Sequence, residues 1–161
     1  MGSEMCIRDR AETEESVDRI AGLKDGLEGS GCEILWEYNY ARGNQNTSEI
    51  IASKKQVDYL VILDNWALEE VGEAAEENKY HGAKIYGVGS SEKAIVLLDN
   101  QNIECLVVPD DYETGYMSMN EIAKKLRHSF YKMNSCETEV RIINKEDLYS
   151  KDLERFLYSY E

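Results

Sequence analysis

Three apolar runs of strand length, each ending in a polar elbow, constrain the fold of this chain more than any other feature. The runs are Tyr59–Leu63, Lys84–Val88 and Glu104–Val108, and a helix-like segment follows each of them. Their hydrophobicity is continuous rather than alternating, which is typical of strands that are covered on both faces. The pattern therefore predicts an α/β fold in which helices flank both faces of a parallel sheet, giving a three-layer αβα arrangement.

The elbows after these strands are the natural place to look for function. In parallel α/β sheets, the loops at the carboxyl ends of the strands gather at one edge and form the ligand crevice. The elbows here are Asp64-Asn65, Gly89-Ser90-Ser91 and Pro109-Asp110-Asp111. Asp64 also stands where a carboxylate would cap a helix over Trp66–Asn78.

The flanking sequence predicts further helices and strands. Glu12–Glu28 has an apolar stripe at helical spacing, and the glycines after it end the helix. The remaining predictions are a strand over Glu33–Glu37, a polar loop over Tyr38–Asn46, a short helix through Ile50–Ala52 capped by Thr47 or Ser48, a helix over Lys93–Leu98 capped by Ser91, a long helix over Tyr112–Lys132, a strand over Val140–Ile143 and a short helix over Lys151–Tyr158. The opening MGSEMCIRDR looks foreign to the domain, so we expect residues 1–10 to lie outside the fold.

Length and charge narrow the classes of partner. The 161 residues are enough for one α/β domain with an adequate core. The formal net charge of −14, from 32 acidic and 18 basic residues, argues against a nucleic-acid partner, which requires a concentrated basic face. The same charge disfavours electrostatic docking on an anionic membrane. No stretch is long and apolar enough to span a bilayer, and no export signal is recognisable.

The residues that carry catalytic or cofactor chemistry do not form a recognisable constellation. Four widely spaced cysteines and two isolated histidines predict neither a metal site nor a nucleophilic centre. Gly87-Val88-Gly89 lacks the third glycine of a dinucleotide motif, because Glu92 occupies its place. Asp64 ends its strand like the phosphoacceptor of a response-regulator receiver, but the acidic pair and the lysine of that site are missing. We therefore expect no enzyme activity, no cofactor and no metal.

Read together, the segments from Ser16 to Asp147 resemble the carboxyl-terminal half of a type I periplasmic-binding-protein domain. This family includes the ribose- and galactose-type sugar receptors and the effector domains of lactose-repressor-type regulators. Five segments carry the resemblance. Ser16–Leu23 is similar to the family's S-x-x-R-x-x-G-[FY], Asp64–Leu68 to N-D-x-x-A-x-G, and Tyr86–Ala94 to V-G-[FY]-D-x-x-x-E-A. Ile103–Gly115 is similar to the final lobe strand with its crossing helix, and Arg141–Asp147 to the closing strand of exported receptors.

The resemblance implies one ligand-binding lobe with an altered site. At the three positions where the family's polar side chains hold sugar hydroxyls, this chain has Leu63, Gly89 and Pro109. Arg19 is retained, and the aromatic residues near the elbows could stack on a ligand. The candidate ligand-binding residues are Arg19, Tyr40, Asp64, Asn65, Trp66, Gly89, Ser90 and Asp110.

The resemblance also implies how the chain is divided. Residues 11–109 and 137–147 are expected to form the lobe, and residues 148–161 a terminal helix. Residues 110–136 are expected to cross to a lobe that is missing from the sequence, with a possible homodimer through helix 112–132 as the alternative cover. Because the apolar stripe of this helix represents on the order of 10 kcal/mol, we expect it to need a partner.

The resulting hypothesis is an extracytoplasmic solute-binding lobe that takes a sugar-like small molecule by hinge closure, without catalysis. Its further partner would be a membrane transporter or a sensor component. The alternative is the effector-binding half of a lactose-repressor-type transcription regulator, which would be cytoplasmic and would bind DNA through a segment outside this sequence. A receiver-like domain is the third alternative. Ligand identity, the native amino terminus and the oligomeric state stay open at this point.

Overall fold

A computed structural model describes residues 3–10, 14–40 and 46–157 of the chain. Within these residues, six strands form one sheet in the order β2-β1-β3-β4-β5-β6. The strands are β1 (Ser3–Arg10), β2 (Cys32–Tyr40), β3 (Tyr59–Ile62), β4 (Lys84–Val88), β5 (Cys105–Pro109) and β6 (Val140–Ile143). The helices are α1 (Glu14–Leu27), α2 (Thr47–Ala52), α3 (Asn65–Ala75), α4 (Glu92–Asp99), α5 (Asp111–Arg127) and α6 (Glu154–Leu157).

The first five strands are parallel, as the continuous apolar runs predict, and the sixth is antiparallel. β6 pairs with β5 in the register Leu106 to Ile143 and Pro109 to Val140. β5 ends at the carboxyl-end edge of the sheet, and after α5 the chain re-enters the sheet at that same edge. β6 must therefore run in the direction opposite to β5. The sheet is therefore mixed but mostly parallel, within the predicted α/β class.

Helices lie on both faces of the sheet, and the two faces are covered to different extents. One face carries the main core, in which Leu60, Ile62 and Leu106 are at most 1% exposed and pack with residues of α3, α4 and α6. On the other face, α1 packs through Leu23 over a smaller cluster that includes Val61. The second face is therefore filled only next to α1.

Strand β1 corrects the expectation that residues 1–10 lie outside the fold. Ser3–Arg10 pairs in parallel with β2 on one side and with β3 on the other. Met5 is 8% exposed, and the amide of Glu4 donates to Asp58 Oδ2 at 3.0 Å. The pairing is possible because a ladder is built from backbone N–H and C=O groups, which every residue of this segment supplies. Whether the segment is native to the domain stays a prediction.

Several element boundaries differ from the sequence predictions. β2 continues to Tyr40 into the predicted loop, of which residues 41–45 lie outside the described residues. Asn46, rather than Thr47 or Ser48, occupies the N-cap position of α2. The predicted terminal helix is one short helix, α6, and residues 158–161 are outside the described residues.

Helix α5 projects from the sheet without a cover within the described part of the chain. It begins directly after β5, with Asp110 as its N-cap, and ends where His128 adopts extended dihedral angles. One side of the helix exposes Tyr112, Tyr116, Met119, Ile122 and Leu126 to solvent. The apolar stripe predicted from the sequence is therefore present and uncovered.

Glu121 ties the returning chain to α5. Its carboxylate accepts hydrogen bonds from the Tyr131 hydroxyl at 2.9 Å and from the Asn134 amide at 2.9 Å, and pairs with Lys124 Nζ at 2.7 Å. The hydrogen bond from Lys124, followed by that from the Asn134 amide, lowers the pKa of Glu121 from 4.5 to about 2. The helix and its return segment thus form one unit.

Candidate functional site

The three elbows meet at the carboxyl-end edge of the sheet, and a side chain caps the helix after each one. Asp64 Oδ1 accepts the amide of Ala67 at 3.0 Å, as the sequence predicts for an N-cap. Ser91 Oγ accepts the amide of Ala94 at 3.2 Å at the start of α4. At the third elbow, Asp110 is 2% exposed and its Oδ1 accepts the amide of Glu113 at 2.8 Å.

Asn65 links the first elbow to the second. Its Oδ1 accepts the amide of Ser90 at 3.1 Å and that of Ser91 at 3.3 Å. Its Nδ2 donates to Glu69 Oε1 at 2.9 Å. A β-carbon at Gly89 would lie 2.4 Å from Asn65 Oδ1. The carboxamide of Asn65 therefore occupies the space that a side chain at position 89 would fill, and it holds the second elbow in place.

Glu69 extends this polar network along α3. The hydroxyl of Ser91 donates to Glu69 Oε1 at 2.7 Å. Lys93 lies 3.9 Å from Glu69 and forms a closer ion pair with Glu73, at 2.8 Å. The hydrogen bond to Glu73 raises the pKa of Lys93 above its ordinary value. Side chains of alternating charge thus connect α3 and α4 on the outer side of this edge.

Trp66 lies next to this charged network, on its solvent-exposed side. Its side chain is 47% exposed, although it stands at the start of a helix that is otherwise well packed. It borders a surface groove of about 350 Å³ together with Glu69, Glu70, Glu73 and Lys93. An indole at the mouth of a polar groove offers a flat apolar face to a ligand, flanked by hydrogen-bonding groups.

Arg19 and Ser90 add donors at the same edge. Arg19 reaches from α1 and donates from Nη1 to the backbone oxygen of Leu63 at 2.9 Å, which fixes its guanidinium beside the first elbow. A guanidinium has five N–H donors, so this single bond leaves the group with further donor capacity. The hydroxyl of Ser90 donates to Asp111 Oδ2 at 3.3 Å, which connects the second elbow to the start of α5.

The structure brings most of the predicted site residues to one edge. Those whose described positions lie there are Arg19, Asp64, Asn65, Trp66, Gly89, Ser90 and Asp110. Tyr40 ends β2 on the same side of the sheet, because the strands are parallel, but its side chain lies outside the described residues. The candidate residues predicted from the sequence do not include Glu69, nor Asp111, although Asp111 belongs to the third elbow. The spacing of four residues between Asn65 and Glu69 on a helix is the pattern that could have indicated the first of them.

Two absences are confined to the described parts of the chain. Among those residues, no group of three or more His, Cys, Asp or Glu side chains is arranged to hold a metal ion. None of the helices described is long and apolar enough to cross a bilayer.

The sequence profile of the periplasmic binding protein domain matches residues 2–129, most of the chain. This chain belongs to the periplasmic-binding-protein family. The match agrees with the lobe described above, a mostly parallel sheet whose elbows meet at one edge. No curated protein sequence matches the chain at a significant level.

Solved structures of periplasmic-binding-protein type share this fold. A carbohydrate-transporter solute-binding protein from Agrobacterium radiobacter, in complex with D-arabinose, has a TM-score of 0.83 at 19% identity, over 98% of this chain and 56% of its own. The Caulobacter myo-inositol binding protein has a TM-score of 0.76 at 16% identity, over 91% of this chain and 53% of its own. A protein described as a LacI transcriptional regulator, from Bacteroides fragilis, has a TM-score of 0.73 at 14% identity, over 91% and 54%. The chain thus spans just over half the length of each.

Proposed function

We propose that this chain is one lobe of an extracytoplasmic solute-binding receptor for a sugar-like ligand, acting without catalysis. The observation that carries the proposal is the polar edge at which three capped elbows meet beside the exposed face of Trp66. Membership of the periplasmic-binding-protein family supports it. The similar proteins from Agrobacterium radiobacter and Caulobacter, solved with D-arabinose and myo-inositol, suggest a polyhydroxylated ligand.

The geometry divides the candidate residues between contact and positioning. We assign ligand contact to Trp66, Arg19 and Ser90, whose indole face, guanidinium and hydroxyl stand at the edge of the lobe. Asp64 accepts the helix amide of Ala67 and Asn65 accepts the loop amides of Ser90 and Ser91, so we assign both residues to positioning the elbows. Gly89 leaves room for the Asn65 carboxamide, and Asp110 fixes the start of α5; Tyr40 stays a candidate for contact.

The proposed mechanism is closure of two lobes around the ligand. Residues 110–136 leave the lobe and present the uncovered face of α5, which in a complete receptor would pack on the second lobe. A binding lobe of this type would deliver its ligand to a membrane transporter or a sensor component. Half of the enclosing contacts are absent from this chain, so a ligand at the edge would stay largely hydrated and bind weakly.

The second candidate is the effector-binding half of a lactose-repressor-type regulator. The structural likeness to the Bacteroides fragilis protein favours it as far as fold is concerned. The acidic net charge of −14 fits either candidate, since a regulator would bind DNA through another segment. The sequence upstream of this chain distinguishes the two: an export signal with a lipid-accepting cysteine indicates the receptor, and a helix-turn-helix indicates the regulator.

The two tryptophans allow a direct test. Trp66 lies at the proposed site, whereas Trp36 donates from Nε1 to the backbone oxygen of Lys55 at 3.2 Å, away from the elbows. On titration with D-arabinose or myo-inositol, the indole NMR signal of Trp66 is expected to shift and saturate with a Kd no tighter than about millimolar, or roughly −4 kcal/mol. The Trp36 signal should stay unchanged.

Substitution makes the test specific. Trp66→Ala is expected to remove binding, and Trp36→Phe to leave it unchanged. No saturable shift of Trp66 with either polyol would contradict the sugar-like ligand. Micromolar affinity for the isolated chain would contradict the interpretation that a second lobe is needed to enclose the ligand.

A further inference from the structure

Among the residues that the structure describes, two apolar surfaces lie uncovered, and the first is the helix stripe of α5. It consists of Tyr112, Tyr116, Met119, Ile122 and Leu126, which are 77%, 60%, 65%, 44% and 81% exposed. The spacing of three and four residues places all five on one side of the helix. Tyr112 and Tyr116 stack on each other with ring centroids 6.4 Å apart, so the upper part of the stripe is preformed as a flat aromatic surface.

The second surface is a groove in the sheet on the face opposite the main core. The sheet groove has a volume of about 420 Å³, and its lining includes Leu23, Tyr59, Leu63, Tyr86, Val88 and Val107. α1 borders it on one side. Beyond the groove on the other side lies β6, where Ile142 pairs in register with Val107 and is 69% exposed. The groove therefore spans β3, β4 and β5, and with β6 beside it the part over β4 and β5 forms an apolar strip that no helix of the described chain covers.

The dimensions of the two surfaces match. Neighbouring strands lie about 4.8 Å apart, so the strip from β4 to β6 is roughly 10 Å wide, the diameter of one helix. A stripe from residue 112 to residue 126 is about 21 Å long at 1.5 Å per residue, and a strand of five or six residues is about 17–20 Å long. One helix of the length of α5 therefore fills the sheet groove.

The helix cannot occupy the groove of its own chain. A single residue, Asp110, separates β5 from α5, and its side chain and backbone oxygen are held by Glu113 and Thr114. The amide of Asp110 also donates to the backbone oxygen of Glu139 at 3.0 Å, and Thr114 contacts Thr138 at 3.3 Å. The return segment thus holds α5 in the direction that leads away from the sheet.

We propose that the sheet groove of one copy of this chain binds the helix stripe of α5 from a second copy, and that the exchange is reciprocal. Such an interface is isologous and closes as a two-fold dimer. Each helix would bury about 500 Å² and the opposing groove a similar area, so two exchanged helices bury on the order of 2,000 Å². That is the size of a stable interface.

Light scattering and sedimentation of the whole chain over a range of concentrations test the dimer. The chain is expected to be dimeric at high micromolar concentration. Met119→Glu, on the helix stripe, and Ile142→Glu, on the groove side, should each weaken dimerisation at least about tenfold, or about 1.4 kcal/mol. Both positions are exposed in the single chain, so neither substitution should prevent folding. Val96→Glu, at a position 55% exposed on α4 and outside both surfaces, is the matched control and should leave the dimer intact.

Mixing the two variants distinguishes reciprocal exchange from other dimers. The Ile142→Glu chain keeps an intact helix stripe and the Met119→Glu chain an intact groove, so their mixture should form a heterodimer with one helix docked, although each alone is monomeric. A chain that is monomeric at every concentration overturns the proposal. So does a dimer that Met119→Glu weakens and Ile142→Glu does not, because the helices would then pair with each other.

Discussion

Asp64 is the residue whose role the structure defines most simply. Its carboxylate caps α3 through the amide of Ala67. We expect Asp64→Ala to lower the free energy of unfolding by about 0.5–2 kcal/mol, and Asp64→Asn to lower it less, because an amide oxygen can still accept the bond. Urea denaturation of the purified chain measures both values.

Asp18→Ala, in an exposed position on α1, is the control and should change stability by less than about 0.5 kcal/mol. Equal losses for the alanine and asparagine variants would show that the cap is not the reason. A labile phosphoryl adduct on Asp64, detected by mass spectrometry after incubation with acetyl phosphate and Mg²⁺, would instead support the receiver-like alternative.

Gly89 and Asn65 form a coupled pair that a double-mutant cycle can resolve. In Gly89→Ala the new β-carbon would displace Asn65 Oδ1 from the amides of Ser90 and Ser91. We expect this substitution to cost about 1–3 kcal/mol, since amides that were paired lose their acceptor. In an Asn65→Ala background the same change should be neutral or stabilising by up to about 1 kcal/mol, because alanine then only restricts the unfolded chain. Additive effects in thermal unfolding would show that the two residues act separately.

At the scale of single residues, local patterns can be predicted from the sequence, whereas contacts between distant segments cannot. Strand-length apolar runs located every elbow, because the period of hydrophobicity depends only on local sequence. The interaction of Asn65 with Gly89 joins two elbows 24 positions apart, so it depends on how the strands are ordered in the sheet. The resemblance placed Asn65 among the ligand contacts. Its hydrogen bonds to Ser90 and Ser91 support a positioning role instead.

Among the elements, α5 and its return segment depend on one carboxylate. The pKa of Glu121 is lowered to about 2, first by Lys124 and then by the Asn134 amide. Because the folded-state pKa lies below the unfolded value of 4.5, the contribution to stability is complete above pH 4.5. It is lost as the pH falls from 4.5 through about 2. The amide of Asn134 should therefore become less protected over that range, which hydrogen exchange followed by NMR measures.

Glu121→Gln gives the matched control for this pH dependence. A neutral amide still accepts hydrogen bonds but has no charge to titrate, so protection of Asn134 should be weaker at neutral pH and flat below it. Glu137→Gln, on the exposed return segment, should retain the pH dependence of the original chain. A drop centred near pH 4.5 in the original chain would contradict the lowered pKa of Glu121.

Most of the helices and strands were predicted correctly from the sequence, and the errors have physical causes. The exposed stripe of α5 and the strand Val140–Ile143 were read from sequence because both are local patterns. The antiparallel direction of β6 was not, since it follows from the return of the chain beside β5. Residues 1–10 look foreign to the domain in the sequence, yet Ser3–Arg10 forms β1. The position between two strands can be filled by any segment that supplies backbone hydrogen bonds.

At the scale of the whole molecule, the arrangement of surfaces matters more than any single contact. Five large apolar side chains on α5 are exposed, and covering each contributes roughly 1.5–3 kcal/mol. Their sum is comparable to the stability of an ordinary domain. The same chain carries an open groove on its sheet. The helix could be covered by the second lobe of a complete receptor or by a second copy in a reciprocal dimer. Of these two, the dimer depends on the concentration of the chain.

Hydrogen exchange as a function of concentration therefore gives the last prediction. In a monomer, the amides of α5 should exchange faster than those of β3, because the helix lacks a packed face. In the exchanged dimer, a free-monomer concentration a hundredfold above Kd should add about 2.7 kcal/mol to the opening of α5 and slow its exchange by about a hundredfold. β3 lies in the core and is expected to show no such dependence. If α5 exchanges as slowly as β3 at the lowest concentration, the helix has a cover within its own chain, and neither a second lobe nor a second copy is needed to explain it.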